Sequence, residues 1–173
     1  MRRVSAPSDR IAVIGAGASS LIVDLVALGY HSIDAVDISA AALAQLRQRL
    51  GVNAAIVRFV CSDVRVVTFD APVDIWHDRA TFHFLTDPAD QQSYARIAAT
   101  AIRAGGYLIV ATFAEDGPTQ CSGLDVSRYS AAALGAVFAS DFDVVDAMHR
   151  DHVTPSGATQ RFVHLVLRRR PNA

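Results

Sequence analysis

Short runs of β-branched and aliphatic residues alternate along the chain with longer alanine-rich runs whose apolar positions recur at helical spacing. Ile11-Ala-Val-Ile14, Ile33-Asp-Ala-Val-Asp37, Ile56-Val-Arg-Phe-Val60, Val73-Asp-Ile-Trp76 and Tyr107-Leu-Ile-Val-Ala-Thr-Phe113 read as strands. Between them, Ala18 to Leu28 reads as a helix stopped by Gly29, and Ala40 to Leu50 as a helix capped by Ser39 and stopped by Gly51. A third helix opens at Asp87-Pro88 and closes by the turn Gly105-Gly106. This alternation predicts an α/β fold of parallel strands joined by right-handed helical crossovers. The C-terminal part differs: Phe142 to Met148 and Phe162 to Leu167 are strand-like, and a turn-rich linker, Thr154-Pro-Ser-Gly-Ala, replaces any crossover helix between them. Two strands joined without a crossover helix are most easily antiparallel, so the sheet is expected to end in a hairpin.

Composition narrows the class. At 173 residues the chain has room for one core, and neither a repeat nor a domain boundary interrupts it, so residues 11–170 are expected to form one domain behind a tail of residues 1–10. Hydrophobic residues make up 51% and charged residues 19%, a folded rather than a disordered balance. A net charge of -1 argues against electrostatic capture of nucleic acid, and Arg168-Arg169-Arg170 reads as a solvated strand end. Cys61 and Cys121 are too few for a disulfide framework and read as reduced, small apolar fillers. The first ten residues carry no apolar stretch of signal-peptide length, and the most apolar segment, Ile11 to Tyr30, is broken by Gly15, Gly17, Ser19, Ser20 and Asp24. A cytoplasmic protein without a membrane span is expected.

The first chemical feature is the turn Gly15-Ala16-Gly17-Ala-Ser-Ser20, leading from the first strand into a helix. Glycines there let backbone approach a ligand, and the helix start offers free amide donors. Asp37, at the end of the second strand, stands where a carboxylate can accept from both ribose hydroxyls, with Ile38 beside it. Asp63 and Val64, after the third strand, would flank the same crevice within reach of an adenine. The bland alternatives are a packing turn, a capping Asp near Ser39 and a surface acid. Dinucleotide enzymes also use a glycine turn and a ribose acid, but their third glycine would fall at Ser20, and the chain has no room for a separate substrate domain.

The second feature is Trp76-His77-Asp78-Arg79, where the fourth strand runs out at the carboxyl edge of the sheet, beside the topological switch point. Methyl transfer from a sulfonium is an in-line displacement that needs a dry, positioning pocket and sometimes a base, and His77 with Asp78 suits that work. Alternatively, Asp78 and Arg79 form an ion pair capping the next helix while His77 packs under Trp76. His83, between Phe82 and Phe84, reads equally as core or pocket. His149 and His152 lack a matched ligand set, so no metal is expected.

Taken together, Gly15-Ala-Gly-Ala-Ser19, Val36-Asp-Ile-Ser39, Trp76-His-Asp-Arg79 with Phe82-His-Phe-Leu85, Gly105-Gly106, Ala111-Thr-Phe113, Asp116-Gly-Pro118 and Cys121-Ser-Gly123 resemble motifs of bacterial class I S-adenosylmethionine-dependent methyltransferases. The resemblance spans roughly residues 11 to 168; the Trp-His-Asp-Arg and Cys-Ser-Gly segments are particular to one branch. It implies a doubly wound, Rossmann-like sheet of seven strands, ordered 3-2-1-4-5-7-6 with strand seven antiparallel, and S-adenosyl-L-methionine as cofactor. Gly15, Ala16 and Gly17 would meet its methionine part, Asp37 and Ile38 the ribose side, Asp63 and Val64 the adenine, and His77 the methyl-transfer zone. The implied acceptor is a small molecule or a protein side chain; the other reading is a non-catalytic nucleoside-binding or interaction subunit. Two departures stand out. Val13 occupies the place where many relatives carry an acid for the methionyl amine, and the first strand begins by Ile11, ahead of which relatives commonly have a covering segment. Closure is therefore expected from the long loop Ala114 to Tyr129, from a second copy or from a partner chain.

Overall fold

The computed structural model describes residues 4–17, 19–154 and 157–171. The first half alternates strand and helix: β1 (Ile11–Ile14), α1 (Leu21–Ala27), β2 (Ile33–Asp37), α2 (Ala40–Leu50), β3 (Val57–Cys61), β4 (Val73–Arg79), α3 (Pro88–Ala101) and β5 (Ile102–Phe113). A small hairpin, β6 (Gln120–Cys121) and β7 (Leu124–Asp125), then precedes α4 (Ala131–Phe138), β8 (Phe142–Val153) and β9 (Thr159–Arg169). Among the described residues the main sheet has seven strands in the order β3-β2-β1-β4-β5-β9-β8. Strands β1 to β5 pair in parallel, whereas β9 runs antiparallel to both β5 and β8. This is the expected 3-2-1-4-5-7-6 order once the two-strand hairpin is set aside.

Local chemistry accounts for the boundaries. The Ser39 side chain accepts from the Ala42 amide and starts α2; Asp87 does the same for α3 through the Ala89 amide, with Pro88 at the first helical position. Strand β1 is buried along its whole length, which is why it reads as an unbroken apolar run. Asp34 interrupts the pattern in β2, and its buried carboxylate accepts from Arg10 and Arg58. That pairing also anchors the segment leading into β1.

Several expectations need correction. The first helix starts at Leu21, and Ala18 lies outside the described residues. Strand four was expected to end at Trp76, yet β4 continues through Arg79 because β1 and β5 supply partners on both sides. Helix α3 stops at Ala101, and Gly105-Gly106 falls inside β5, where pairing with β4 skips from Val73/Ile102 to Ile75/Tyr107. Helix α4, started by the Ser130 hydroxyl accepting from Ala133, was not read from the sequence. Cys61 is exposed at the end of β3 rather than filling the core. Pro155 and Ser156 of the turn-rich linker lie outside the described residues.

Helices α1 and α2 cover one face of the sheet through Ile22, Leu25, Leu43 and Leu46, which pack on Ile11, Val13, Ile33 and Ile75. Helices α3 and α4 cover the other, where Tyr94, Ala98, Leu134 and Phe138 meet Trp76, Leu108, Val110 and Leu165. Among the described residues no helix is long and apolar enough to cross a membrane.

Candidate active site

The carboxyl edge of the parallel strands carries the site. After β1 the chain turns at Gly15, whose φ of +65° lies in the left-handed region, and a Cβ there would collide with the Thr81 hydroxyl. At Gly17 a Cβ would overlap Ala42 of α2 and stand 3.1 Å from the Asp37 carboxylate. The glycines are thus required by close approach within the chain itself. Asp37 links the parts: one oxygen accepts from the Gly17 amide at 2.9 Å and the other from the Ser39 amide at 2.8 Å. Each carboxylate oxygen has room for about two donors, so both retain capacity toward a ligand hydroxyl.

Beside Asp37, Ile38 is 72% exposed, an apolar side chain at the sheet edge. Cys61 pairs in register with Asp37, and the Ser62 amide donates to the Asp37 carbonyl, so the turn holding Asp63 and Val64 begins next to the Asp37–Ile38 end. Val64 is largely buried. Asp63 accepts from the Arg65 amide and guanidinium, which hold its carboxyl below the usual carboxylate range, and Arg65 reaches on to Asp90.

The structure separates His77 from Asp78. Neighbouring strand residues point to opposite faces, and His77 shares the α1 face with Val13, its register partner. There it lines a cavity of about 500 Å³ together with Gly15, Ser20, Asp24 and Arg79. Burial, reinforced by His164 and Arg79, pushes its imidazole down to about 4, so it is neutral near pH 7. Asp78 lies fully buried beneath the other face and accepts from the Thr81 amide, the Phe82 amide and the Tyr94 hydroxyl at 2.9, 3.0 and 2.7 Å. The expectation that Asp78 orients the His77 imidazole is corrected accordingly: Asp78 holds the turn that sets Thr81 against Gly15. The alternative of an Asp78–Arg79 ion pair also fails, because all three donors to Asp78 come from elsewhere. His83 is a core residue, fully buried with neither ring nitrogen hydrogen-bonded, its ring edge-on to Phe84.

Sequence reasoning missed the far wall of the cavity, formed by Phe113, Cys121, His152, Gln160 and Phe162. The antiparallel register explains their arrival. Phe113 at the carboxyl end of β5 pairs with Phe162 at the start of β9, and His152 pairs with Gln160, so the terminal hairpin curls its tip back to the site. The hairpin itself was foreseen; that its tip lines the cavity follows only from the register. Cys121 brings the loop Ala114 to Tyr129 onto the cavity wall.

The titrating groups carry a stability prediction. His83 is pushed down to about 4 by burial, and His164 to about 4 by burial and then by Arg150 and Arg79. With His77, three imidazoles contribute stability that is present above pH 6.5, the ordinary histidine value, and is lost as pH falls toward 4. Asp78 opposes them: burial raises it from 3.8 to about 6, so its contribution is present below 3.8 and is lost as pH rises through 6. Three imidazoles against one carboxyl leave the unfolded chain binding more protons, and denaturant unfolding should show about 2 kcal/mol less stability at pH 5.5 than at pH 6.5. Equal stability at the two values would contradict the neutral imidazoles.

A glycine turn, an acid after the second strand and a cleft at the carboxyl edge beside β1 and β4 define an α/β protein of the doubly wound class. The family model described as "Methyltransferase domain" matches residues 11–106, and the chain belongs to that family. No curated protein sequence matches the chain. Among solved structures, a SAM-dependent methyltransferase from Methanosarcina mazei superposes with a TM-score of 0.82 at 14% identity, over 99% of this chain and 97% of that one. The 1,6-didemethyltoxoflavin N1-methyltransferase of Burkholderia thailandensis, solved with bound 1,6-didemethyltoxoflavin and S-adenosylhomocysteine, reaches 0.74 at 22% identity over 95% and 72%. The glycopeptide N-methyltransferase MtfA, solved with S-adenosylmethionine, reaches 0.75 at 15% identity over 98% and 90%. At these identities the likeness is one of fold.

Proposed function

We propose that the protein is an S-adenosylmethionine-dependent methyltransferase acting on a small molecule. The observation that carries this reading is the junction of Gly17, Asp37 and exposed Ile38 at the same sheet edge as the His77 cavity. The residues suit the cofactor: Asp37 keeps acceptor capacity for ribose hydroxyls, Ile38 and Val64 offer apolar flanks for an adenine, and the Gly15–Gly17 turn leaves backbone open to the methionine part. Asp63, held ionised by Arg65, would accept from the adenine amino group. Val13 is buried and supplies no acid, so amine recognition falls to other groups of this cavity.

S-adenosylmethionine, when bound, supplies an electrophilic methyl group on a sulfonium. For an in-line displacement the chain's own task is placement and exclusion of water. His77, neutral and facing the cavity, can hold an acceptor N–H or O–H by one hydrogen bond; an imidazole at about 4 is too weakly basic to retain the departing proton, which passes on to water. Phe113 and Phe162 supply the apolar wall. Similar structures named for methylating 1,6-didemethyltoxoflavin or a glycopeptide support an acceptor of small-molecule or peptide-like kind.

Calorimetry with S-adenosylhomocysteine and with NAD, run separately, tests the reading. Binding of S-adenosylhomocysteine alone is expected. Binding of NAD alone would turn the assignment to a dehydrogenase-like domain, and binding of neither would favour an interaction subunit.

A further inference from the structure

Among the described residues, the wall of the cavity includes an arginine that no carboxylate pairs with. Arg79, the last residue of β4, is exposed, and its guanidinium lies 5.4 Å from the centre of the Phe162 ring. Among the described residues no carboxylate pairs with it and no hydrogen bond from its side chain is formed, in contrast to Arg10, Arg58, Arg65, Arg103, Arg161 and Arg170, which all meet acids. Arg150 pairs in register with Phe162 and therefore lies on the same face; among the described residues its guanidinium meets the Met148 sulfur and no carboxylate. Phe162 thus has an arginine on two sides.

Acids that might balance these cations are placed elsewhere. Asp116 is paired with Arg161, and Asp151, opposite Arg161 in the hairpin, is on the far face. Asp24, on α1, is the acid lining the cavity, and among the described residues it forms no ion pair with Arg79. The polar groups that the terminal hairpin adds to the cavity wall are His152 and Gln160. The positive field is felt locally, since Arg150 and Arg79 add to burial in keeping the His164 imidazole neutral.

A guanidinium stacked on an aromatic ring is fixed in plane, while its N–H edge stays free to grip a planar anion through two hydrogen bonds. Phe113 and Phe162 supply apolar surface in the same cavity. We propose that the methyl acceptor is a molecule with an apolar body and a carboxylate, the carboxylate gripped by Arg79 and the body laid against Phe113 and Phe162. This inference rests on the methyltransferase reading and names the substrate class for the same cavity. Arg79 would act there as a specificity residue, with Arg150 strengthening the field from the rim.

The test uses the full chain saturated with S-adenosylhomocysteine and three matched fragment pairs: benzoate and benzamide, phenylacetate and phenylacetamide, hexanoate and hexanamide. In calorimetric or NMR titrations, at least one acid should bind about ten-fold or more tightly than its amide. Arg79→Met should abolish that preference while S-adenosylhomocysteine affinity and melting temperature stay as in the wild type, and Arg79→Lys should restore part of it. No preference for the acid in any pair, or a preference that survives in Arg79→Met, overturns the proposal. Phenyl phosphate binding more tightly than every carboxylate overturns it in favour of a phosphorylated acceptor. Failure of S-adenosylhomocysteine to bind the wild type is a separate result, seen before any fragment is added; it overturns the underlying methyltransferase reading and this inference with it.

Discussion

Replacing Asp37 by alanine is expected to weaken S-adenosylhomocysteine binding about a hundredfold or more while leaving the melting temperature nearly unchanged. Two charge-assisted hydrogen bonds to ribose hydroxyls account for roughly 2–3 kcal/mol of this. The structure adds a second contribution, because the same carboxylate accepts from the Gly17 and Ser39 amides and so fixes the glycine turn relative to the start of α2. Without it those amides turn to water, and the turn must be ordered anew when the cofactor binds. Stability should hardly respond, since Asp37 is only partly buried and both amides can be solvated. Asp37→Asn should fall between wild type and alanine: the side-chain oxygen can serve one amide, while its NH₂ group would face the other as donor against donor. Calorimetry on the three proteins at equal salt checks the order, and equal affinity in wild type and alanine variant would remove Asp37 from the site.

The frame was legible in the sequence because one physical signal runs through it. Strands buried on both faces give continuous apolar runs, and their helices show glycine stops and Ser or Asp caps, so element type could be read, while the strand order came from the resemblance to the methyltransferase family. The residues at the ends of β1, β2 and β3 followed, since parallel strands deliver all their carboxyl ends to one edge. Less legible was what depends on the direction of a single side chain. His77 and Asp78 are adjacent polar residues at the right edge, and the sequence pairs them; the strand, continuing through Arg79, sends them to opposite faces. The error came from ending β4 at Trp76, which left the next residues free to point together. Thr81, which packs against Gly15, carried no signal at all, because a lone threonine after a strand has no periodicity or motif. The wall built by Gln160 and Phe162 needed a register, and hydrophobic pattern gives strands but not their offset.

The opposite placement of His77 and Asp78 makes their variants separable by measurement. Asp78→Ala removes the acceptor of three donors inside the core, the Thr81 and Phe82 amides and the Tyr94 hydroxyl, and Tyr94 in turn accepts from the Trp76 indole at 2.8 Å. A buried donor left without a partner costs about 1–3 kcal/mol, and neighbouring losses are not additive, so a destabilisation of roughly 3–5 kcal/mol is expected. For a domain of this size that lowers the melting temperature by about 10–15 °C. Asp78→Asn should recover part of the loss, since its amide oxygen can still accept. Turnover per folded molecule, measured well below the transition, should stay within a few-fold of wild type in both, with some loss of cofactor affinity as Thr81 loosens against Gly15. His77→Ala should do the reverse. The imidazole faces the cavity and contributes packing on one side only, so melting should shift by no more than a few degrees and S-adenosylhomocysteine affinity should hold. Loss of one positioning hydrogen bond to the acceptor should slow single-turnover methyl transfer about ten- to a hundredfold. In the double variant the stability and rate effects should simply add, because the two side chains share no partner and lie across the sheet from one another. Coupling between them in the rate, or an Asp78→Asn protein that melts normally yet has lost turnover, would mean that the carboxylate acts on the imidazole after all.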